Sequence, residues 1–167
     1  MDNPENLPSP QRTLISTRRE YLEASDRLLA MARRELRVFD PDLSALEFNA
    51  PSRIALLRRL LAANRNHRVF IVLHDVEHVL QRCPRLLQLI TTFTSGIIIN
   101  RTQGEAARAQ DCFVIADGEN LVRRPAATQS RGVLLLDDPI EGHGMRDRFD
   151  QIWDSSHLGV SATKVGL

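Results

Sequence analysis

Cysteine, lysine and aromatic residues are scarce in this chain of 167 residues. The two cysteines, Cys83 and Cys112, provide no disulfide framework and are typical of a reducing compartment. Aromatic residues make up 5% of the sequence, which leaves few side chains on which nucleic-acid bases could stack. The formal net charge is +1, so no strong overall field attracts polyanions. Nucleic acid is therefore not an expected partner.

Long apolar runs are also missing from the sequence. No segment has the length of apolar residues that a membrane span needs. Residues 1–12 are polar and rich in proline and lack the apolar core of a signal peptide. We therefore expect a cytoplasmic protein of bacterial type, with a disordered N-terminal segment over residues 1–12, a single domain over residues 13–157 and a loose C-terminal tail over residues 158–167.

The spacing of apolar residues predicts helices that alternate with strands in the first part of the chain. Helical spacing begins at Arg18, after Thr17 as N-cap, and again after Pro51, and Pro84 breaks a third helical region. Four apolar residues on one face predict a last helix over residues 145–156. Apolar runs predict strands at residues 36–40, 68–75, 96–102, 112–116, 120–124 and 131–138.

The order of these elements indicates an α/β fold. The early alternation of strands and helices favours parallel βαβ units, and the two strands joined at Asp117-Gly118 add an antiparallel hairpin. The sequence therefore predicts a mixed, mostly parallel sheet with helices on both faces and a late antiparallel hairpin. Asp117 is interpreted first as a turn residue whose side chain stabilises the hairpin, and a surviving catalytic role is the alternative.

The stretch QDCFVIAD at residues 110–117, together with the element order, resembles phospholipase D-like half-domains, including a bacterial family of such half-domains. Active members carry His-x-Lys-x-x-x-x-Asp, in which the His attacks phosphorus and the Lys neutralises phosphate charge. Alignment on Asp117 places Gln110 at the His position and Cys112 at the Lys position. Gln is no nucleophile, and a Cys in an apolar strand supplies no cation. The resemblance thus implies a catalytically inactive phospholipase D-like domain that acts as a binding or interaction module.

The same resemblance carries an expectation about assembly. Active phospholipase D-like enzymes bring together two copies of the motif, in one chain or in a homodimer, and this chain has room for one copy. We therefore expect a symmetric homodimer in which the face of Gln110 and Cys112 lies near the two-fold axis.

Polar residues follow the predicted parallel strands, at the edge of the sheet where ligands of such folds bind. Asp40, His74, Arg101 and Thr102 occupy these positions. His74, Arg101 and Thr102 are candidates for holding a phosphorylated or otherwise anionic ligand. The alternatives are a loop of solvated capping residues, or a divergent phosphodiesterase in which His74 is the nucleophile and Arg101 replaces the motif Lys.

Two further motifs are interpreted structurally. In HDVEH, residues 74–78, the two histidines are four residues apart, but the first falls at the end of a strand and no third ligand is evident. Asp75 is expected to cap the next helix, and we expect neither a metal nor a cofactor. The neighbouring Arg123 and Arg124 are expected to protect an edge strand by their charge.

Overall fold

Residues 8–162, the part of the chain described by the computed structural model, form one sheet of eight strands with five α-helices packed on its two faces. The strands are β1 (Gln11–Ile15), β2 (Glu35–Asp40), β3 (Arg68–Leu73), β4 (Ile97–Thr102), β5 (Cys112–Ala116), β6 (Asn120–Arg124), β7 (Gly132–Leu136) and β8 (Ser156–Val160). The helices are α1 (Arg18–Met31), α2 (Pro51–Ala63), α3 (Glu77–Arg82), α4 (Pro84–Thr92) and α5 (Pro139–Asp154).

The sheet is mostly antiparallel, so the prediction of a mostly parallel sheet is wrong. The strand order is β1-β7-β6-β5-β2-β3-β4-β8, and within the described residues the parallel pairs are β2 with β3 and β3 with β4. The other five pairs are antiparallel. The helical crossovers join only β2, β3 and β4, whereas β1 and β8, which the sequence analysis did not predict, each add an antiparallel pair at an edge.

Two apolar layers cover the sheet, one on each face. Helices α1, α2 and α4 bury their apolar sides against one face, and α5 buries Phe149 and Ile152 against the other. Successive residues of β5 alternate between the layers: Cys112 and Val114 face the first group of helices, and Phe113 faces α5. This alternation decides which side chains can meet at the ends of the strands.

Helix α5 begins at Pro139, six residues before the predicted start. The Asp138 side chain accepts a hydrogen bond from the Glu141 N–H and so caps the helix. The prediction missed this first turn because Gly142 and Gly144 interrupt the helical pattern. Gly142 is required by packing, since a Cβ atom there would overlap the carbonyl oxygen of Gly118.

Some of the predicted boundaries agree with the structure and others differ from it. The Thr17 side chain accepts a hydrogen bond from the Glu20 N–H at 3.1 Å, which confirms the predicted N-cap, and Pro84 begins a new helix. Strand β1 begins inside the segment assigned to N-terminal disorder, and β8 extends into the segment assigned to the loose tail. The rest of those two segments includes residues 1–7 and 163–167, which lie outside the described residues.

Across residues 8–162 the structure contains no helix with both the length and the apolar character of a membrane span.

Candidate functional site

The edge of the sheet where β2, β3 and β4 end carries most of the polar residues that the sequence analysis selected. Because β5 runs antiparallel to β2, Gln110 precedes β5 at this same carboxyl edge, beside Asp40 and His74. Asp117 follows β5 and lies at the opposite, amino edge, where its backbone N–H donates to the Glu35 carbonyl. The two ends of the aligned motif therefore lie at opposite edges of the sheet.

His74 is held by hydrogen bonds at both ring nitrogens. Its Nε2 lies 2.9 Å from the carbonyl oxygen of Ala109, and its Nδ1 lies 2.8 Å from the Thr102 hydroxyl. A carbonyl oxygen can only accept, so Nε2 carries a proton, and in the neutral ring Nδ1 accepts from Thr102. Neither nitrogen of His74 presents a free lone pair to a substrate.

Arg101 is not placed beside the His74 ring. Arg101 and Thr102 are consecutive residues of β4, so their side chains leave the sheet on opposite faces, and His74 is bonded to Thr102. The contact between Arg101 and His74 runs from the guanidinium Nε to the backbone carbonyl of His74, at 3.3 Å. The three predicted anion-binding residues are therefore neighbours in the fold but do not converge on one point.

Gln110 and Asp111 stand between two clefts at the carboxyl edge. One cleft, of about 350 Å³, lies toward His74, and the other, of about 460 Å³, lies toward Arg123 and Arg148. The carboxylate of Asp111 accepts two hydrogen bonds from the Arg148 guanidinium, at 2.8 and 2.6 Å. This ion pair joins the start of β5 to α5. Its two residues are 37 positions apart, and no local sequence pattern predicts such a contact.

Cys112 lies beneath the surface in a polar cluster. Its side chain is fully buried beside the Tyr21 hydroxyl, and Arg124, its cross-strand partner in β6, is buried next to it. The Arg124 guanidinium lies over the Tyr21 ring, with its Cζ atom 4.3 Å from the ring centroid, and donates a hydrogen bond to the carbonyl oxygen of Gln129. The cluster therefore places a cation one strand away from the position that the Lys of the motif occupies.

Burial shifts three titratable groups of this region, Cys112, Tyr21 and Asp40, toward their neutral forms. Burial raises the pKa of the Cys112 thiol and raises the pKa of Tyr21 well above its ordinary value. Burial also raises the pKa of Asp40 to about 6, although the backbone N–H groups of Leu43 and Asp42 oppose the shift. A neutral buried thiol is neither a nucleophile nor a phosphate-binding cation.

The structure overturns the edge-strand interpretation of Arg123 and Arg124. Strand β6 lies between β5 and β7, inside the sheet, so its charges protect no edge. Arg123 lies 3.5 Å from the Glu141 carboxylate on α5, and Arg124 turns to the other face. The sequence analysis mistook the strand for an edge because it did not predict β1 and did not predict that β7 pairs with β6.

Asp117 and Asp75 both have structural roles. Asp117 and Gly118 have positive φ angles of 56° and 79°, as a type I′ hairpin turn requires, but the Asp117 carboxylate bonds to the backbone of residues 33–35 rather than to its own turn. Asp75 accepts a hydrogen bond from the Glu77 N–H at the start of α3. No group of three or more potential ligands suited to a metal ion occurs in the described part of the chain.

Residues 17–161 match the family model described as a domain of unknown function, DUF7931. No curated protein matches the sequence at a significant level. Solved structures with a similar fold include three proteins that are 12 to 17% identical to this chain. At such low identity, the likeness concerns the fold alone. TrmBL2, an archaeal chromatin protein whose structure shows a novel mode of DNA binding, matches with a TM-score of 0.64 and 12% identity over 89% of this chain. This chain spans 54% of TrmBL2, about half its length.

The other two structures are of similar size to this chain. Nuc from Salmonella typhimurium, a phospholipase D family member, matches with a TM-score of 0.57 and 17% identity over 92% of this chain and 100% of its own. NucT from Helicobacter pylori matches with a TM-score of 0.60 and 15% identity over 91% of this chain and 100% of its own. These likenesses support the phospholipase D-like fold that the sequence predicted.

Proposed function

This chain belongs to the DUF7931 family, and we propose that it is a phospholipase D-like domain without phosphoryl-transfer chemistry that acts as a binding module for an anionic ligand. The observation that carries the proposal is Cys112. The side chain at the Lys position of the aligned motif is fully buried, and burial raises its pKa, so it stays a neutral thiol. Gln110, at the His position, brings no nucleophile.

The alternative, a divergent phosphodiesterase, would need His74 and Arg101 to act on one phosphate. Both ring nitrogens of His74 are engaged by Thr102 and Ala109, and Arg101 leaves its strand on the opposite face. A nucleophile must keep a free lone pair within reach of phosphorus. The binding module is therefore the better-supported function.

The carboxyl-edge cleft of about 460 Å³ is the proposed binding site for the anion. Arg148 already binds the Asp111 carboxylate in a bidentate geometry, so the guanidinium offered to an anion is that of Arg123, which lies 3.5 Å from the Glu141 carboxylate. Arg101, on the same edge, is exposed and is a further candidate, whereas His74 and Thr102 bond to each other. Nucleic acid belongs among the anions to be tested, because TrmBL2, which shares this fold, binds DNA.

Two measurements test the proposal. Hydrolysis of bis(p-nitrophenyl) phosphate, phosphatidylcholine and single-stranded DNA should not exceed background, and turnover that disappears in His74→Ala would favour the phosphodiesterase instead. In a second assay, a fluorescent oligonucleotide should bind several-fold more weakly to Arg123→Ala than to the control Arg82→Ala, which removes an exposed arginine of α3. Equal affinities of these two variants would remove the proposed site.

A further inference from the structure

A groove of about 1050 Å³ lies at the amino edge of the sheet, opposite the carboxyl-edge clefts. It is bordered by the C-terminal ends of α1 and α2, by the hairpin turn at residues 117–119 and by the turn at Asp137. Its size matches that of pockets for small organic ligands. None of the residues that the sequence analysis proposed as anion-binding lies in it.

One rim of the groove carries three arginines and the Asp117 carboxylate. Arg33 and Arg34 are exposed, and the Asp117 carboxylate accepts a hydrogen bond from each of their backbone N–H groups, at 2.8 Å. Arg59 of α2 donates from Nη2 to the carbonyl of Ala30 at 2.6 Å. Within residues 8–162 none of these three guanidinium groups forms a salt bridge, so their charges remain available to a ligand.

A second rim of the groove is acidic, and hydrogen bonds fix its backbone. It includes Glu119 and Asp137. The Asp137 N–H donates to the Asn120 side-chain oxygen at 2.9 Å, and the Asp138 N–H donates to the Glu119 carbonyl at 2.9 Å. Asp137 has a φ of 54°, a left-handed conformation that non-glycine residues rarely adopt and that these two hydrogen bonds stabilise.

An apolar wall lies between the rims. It is formed by small or flexible side chains from the ends of the two helices: Ala30, Met31, Ala32, Leu60 and Ala63. A simple polyanion would bring phosphates against the acidic rim and would leave this wall without a partner. The ligand should instead be anionic at one end, rich in hydroxyl donors at another, and flat and weakly polar between them.

We propose that this groove binds a nucleoside polyphosphate. The phosphates bind Arg33, Arg34 and Arg59, because guanidinium groups pair with phosphate oxygens through two parallel hydrogen bonds. The ribose hydroxyls donate to the carboxylates of Glu119 and Asp137, as acidic side chains do in other nucleotide sites. The base packs on the apolar wall. The site is separate from the proposed carboxyl-edge module and stands if that module is disproved.

The first test is calorimetric titration of the full chain with ATP. The double variant Arg33→Ala/Arg34→Ala should bind ATP at least about tenfold more weakly than wild type, because it loses charge-assisted contacts to phosphate. The matched control Arg82→Ala/Arg85→Ala removes two exposed arginines of α3 and α4, which belong to neither proposed site, and should leave the affinity unchanged. Arg33 and Arg34 bond to Asp117 through their backbone, so the variant should keep the fold, and its midpoint of urea unfolding checks this.

The second test separates a nucleotide from a bare chain of phosphates. Glu119→Gln should weaken ATP binding severalfold, because a hydroxyl acceptor loses its charge, but should tighten the binding of inorganic tripolyphosphate, because a repulsive charge is removed. The Glu119 contact within the fold uses its backbone carbonyl, which the substitution preserves. Three outcomes would overturn the proposal: no saturable ATP binding up to millimolar concentration, equal effects of the two double variants, or a Glu119→Gln change that acts on both ligands alike.

Discussion

The carboxylate of Asp117 accepts a hydrogen bond from the backbone N–H of Arg34 at 2.8 Å, although 83 residues separate them in the chain. The same carboxylate also bonds to the N–H groups of Arg33 and Glu35. One side chain on a hairpin turn thus anchors the loop that leads from α1 into β2. It also fixes the backbone of two arginines that line the amino-edge groove.

Removal of this anchor should destabilise the protein. Asp117→Ala loses three hydrogen bonds to a carboxylate and leaves a Cβ-bearing residue without a local partner at a φ of 56°, so we expect a loss of about 3 kcal/mol in the free energy of unfolding. Asp117→Asn keeps one acceptor oxygen and tolerates positive φ, so it should lose about half as much. Urea denaturation measures both changes. Equal losses in the two variants would contradict a role for the second carboxylate oxygen.

The two glycines near the start of α5 should respond in opposite directions to alanine. In Gly142→Ala the new Cβ would overlap the Gly118 carbonyl oxygen, so helix and hairpin must separate, at a cost of about 2 kcal/mol or more. A Cβ at Gly144 meets no atom within 4 Å, so Gly144→Ala should stabilise the helix by up to about 1 kcal/mol. Thermal or urea unfolding compares the pair, and a stable Gly142→Ala would show that α5 does not pack on the turn.

Asp40 should make the protein less stable as the pH rises. Its pKa is raised from 3.8 to about 6, so between these values the folded state holds a proton that the unfolded chain releases. The bound proton contributes about 3 kcal/mol to the free energy of unfolding below about pH 4. This contribution is lost as the pH rises through 6. Asp40→Asn is neutral throughout, and its amide oxygen can still accept the hydrogen bond from Leu43.

The prediction concerns the difference between wild type and Asp40→Asn in urea denaturation from pH 4 to 8. That difference should grow in favour of the variant up to about pH 7 and then level off. Asp150→Asn, at an exposed position of α5, serves as the control for the loss of one carboxylate. Parallel curves for wild type and Asp40→Asn would show that Asp40 titrates alike in both states.

We propose a homodimer that forms across the carboxyl edge. Its test needs a substitution at an exposed residue of that edge. The Cys112 side chain is fully buried, so a charge placed there would report on folding rather than on an interface. Gln110 is exposed at the same edge, so Gln110→Arg should shift a dimer toward monomer in sedimentation at micromolar concentration, because a two-fold axis introduces each new charge twice. Gln88→Arg, on the exposed surface of α4, is the control. A wild-type monomer throughout this range would remove the homodimer.

The sequence by itself determined most of the helices and six of the eight strands of the described residues. Apolar runs and caps placed the strands β2 to β7 within two residues, because a buried strand and a helix end each require residue types that can be recognised locally. The assignment of Gln110 and Cys112 to the motif positions rests on the alignment on Asp117 and stays a prediction. The edge strands β1 and β8 escaped prediction, because a strand exposed along most of its length shows no continuous apolar run.

Only the tertiary structure decided what the polar residues do. His74 and Arg101 lie at the ends of two consecutive predicted strands, yet the alternation of side chains and the hydrogen bond to Thr102 separate the ring from the guanidinium. Asp117 had the sequence of a turn residue, and its partners come from a loop more than eighty residues away. Hydrogen bonds and charge contacts of this kind depend on which distant segments the packed core brings within about 3 Å, and neither periodicity nor local propensity contains that information.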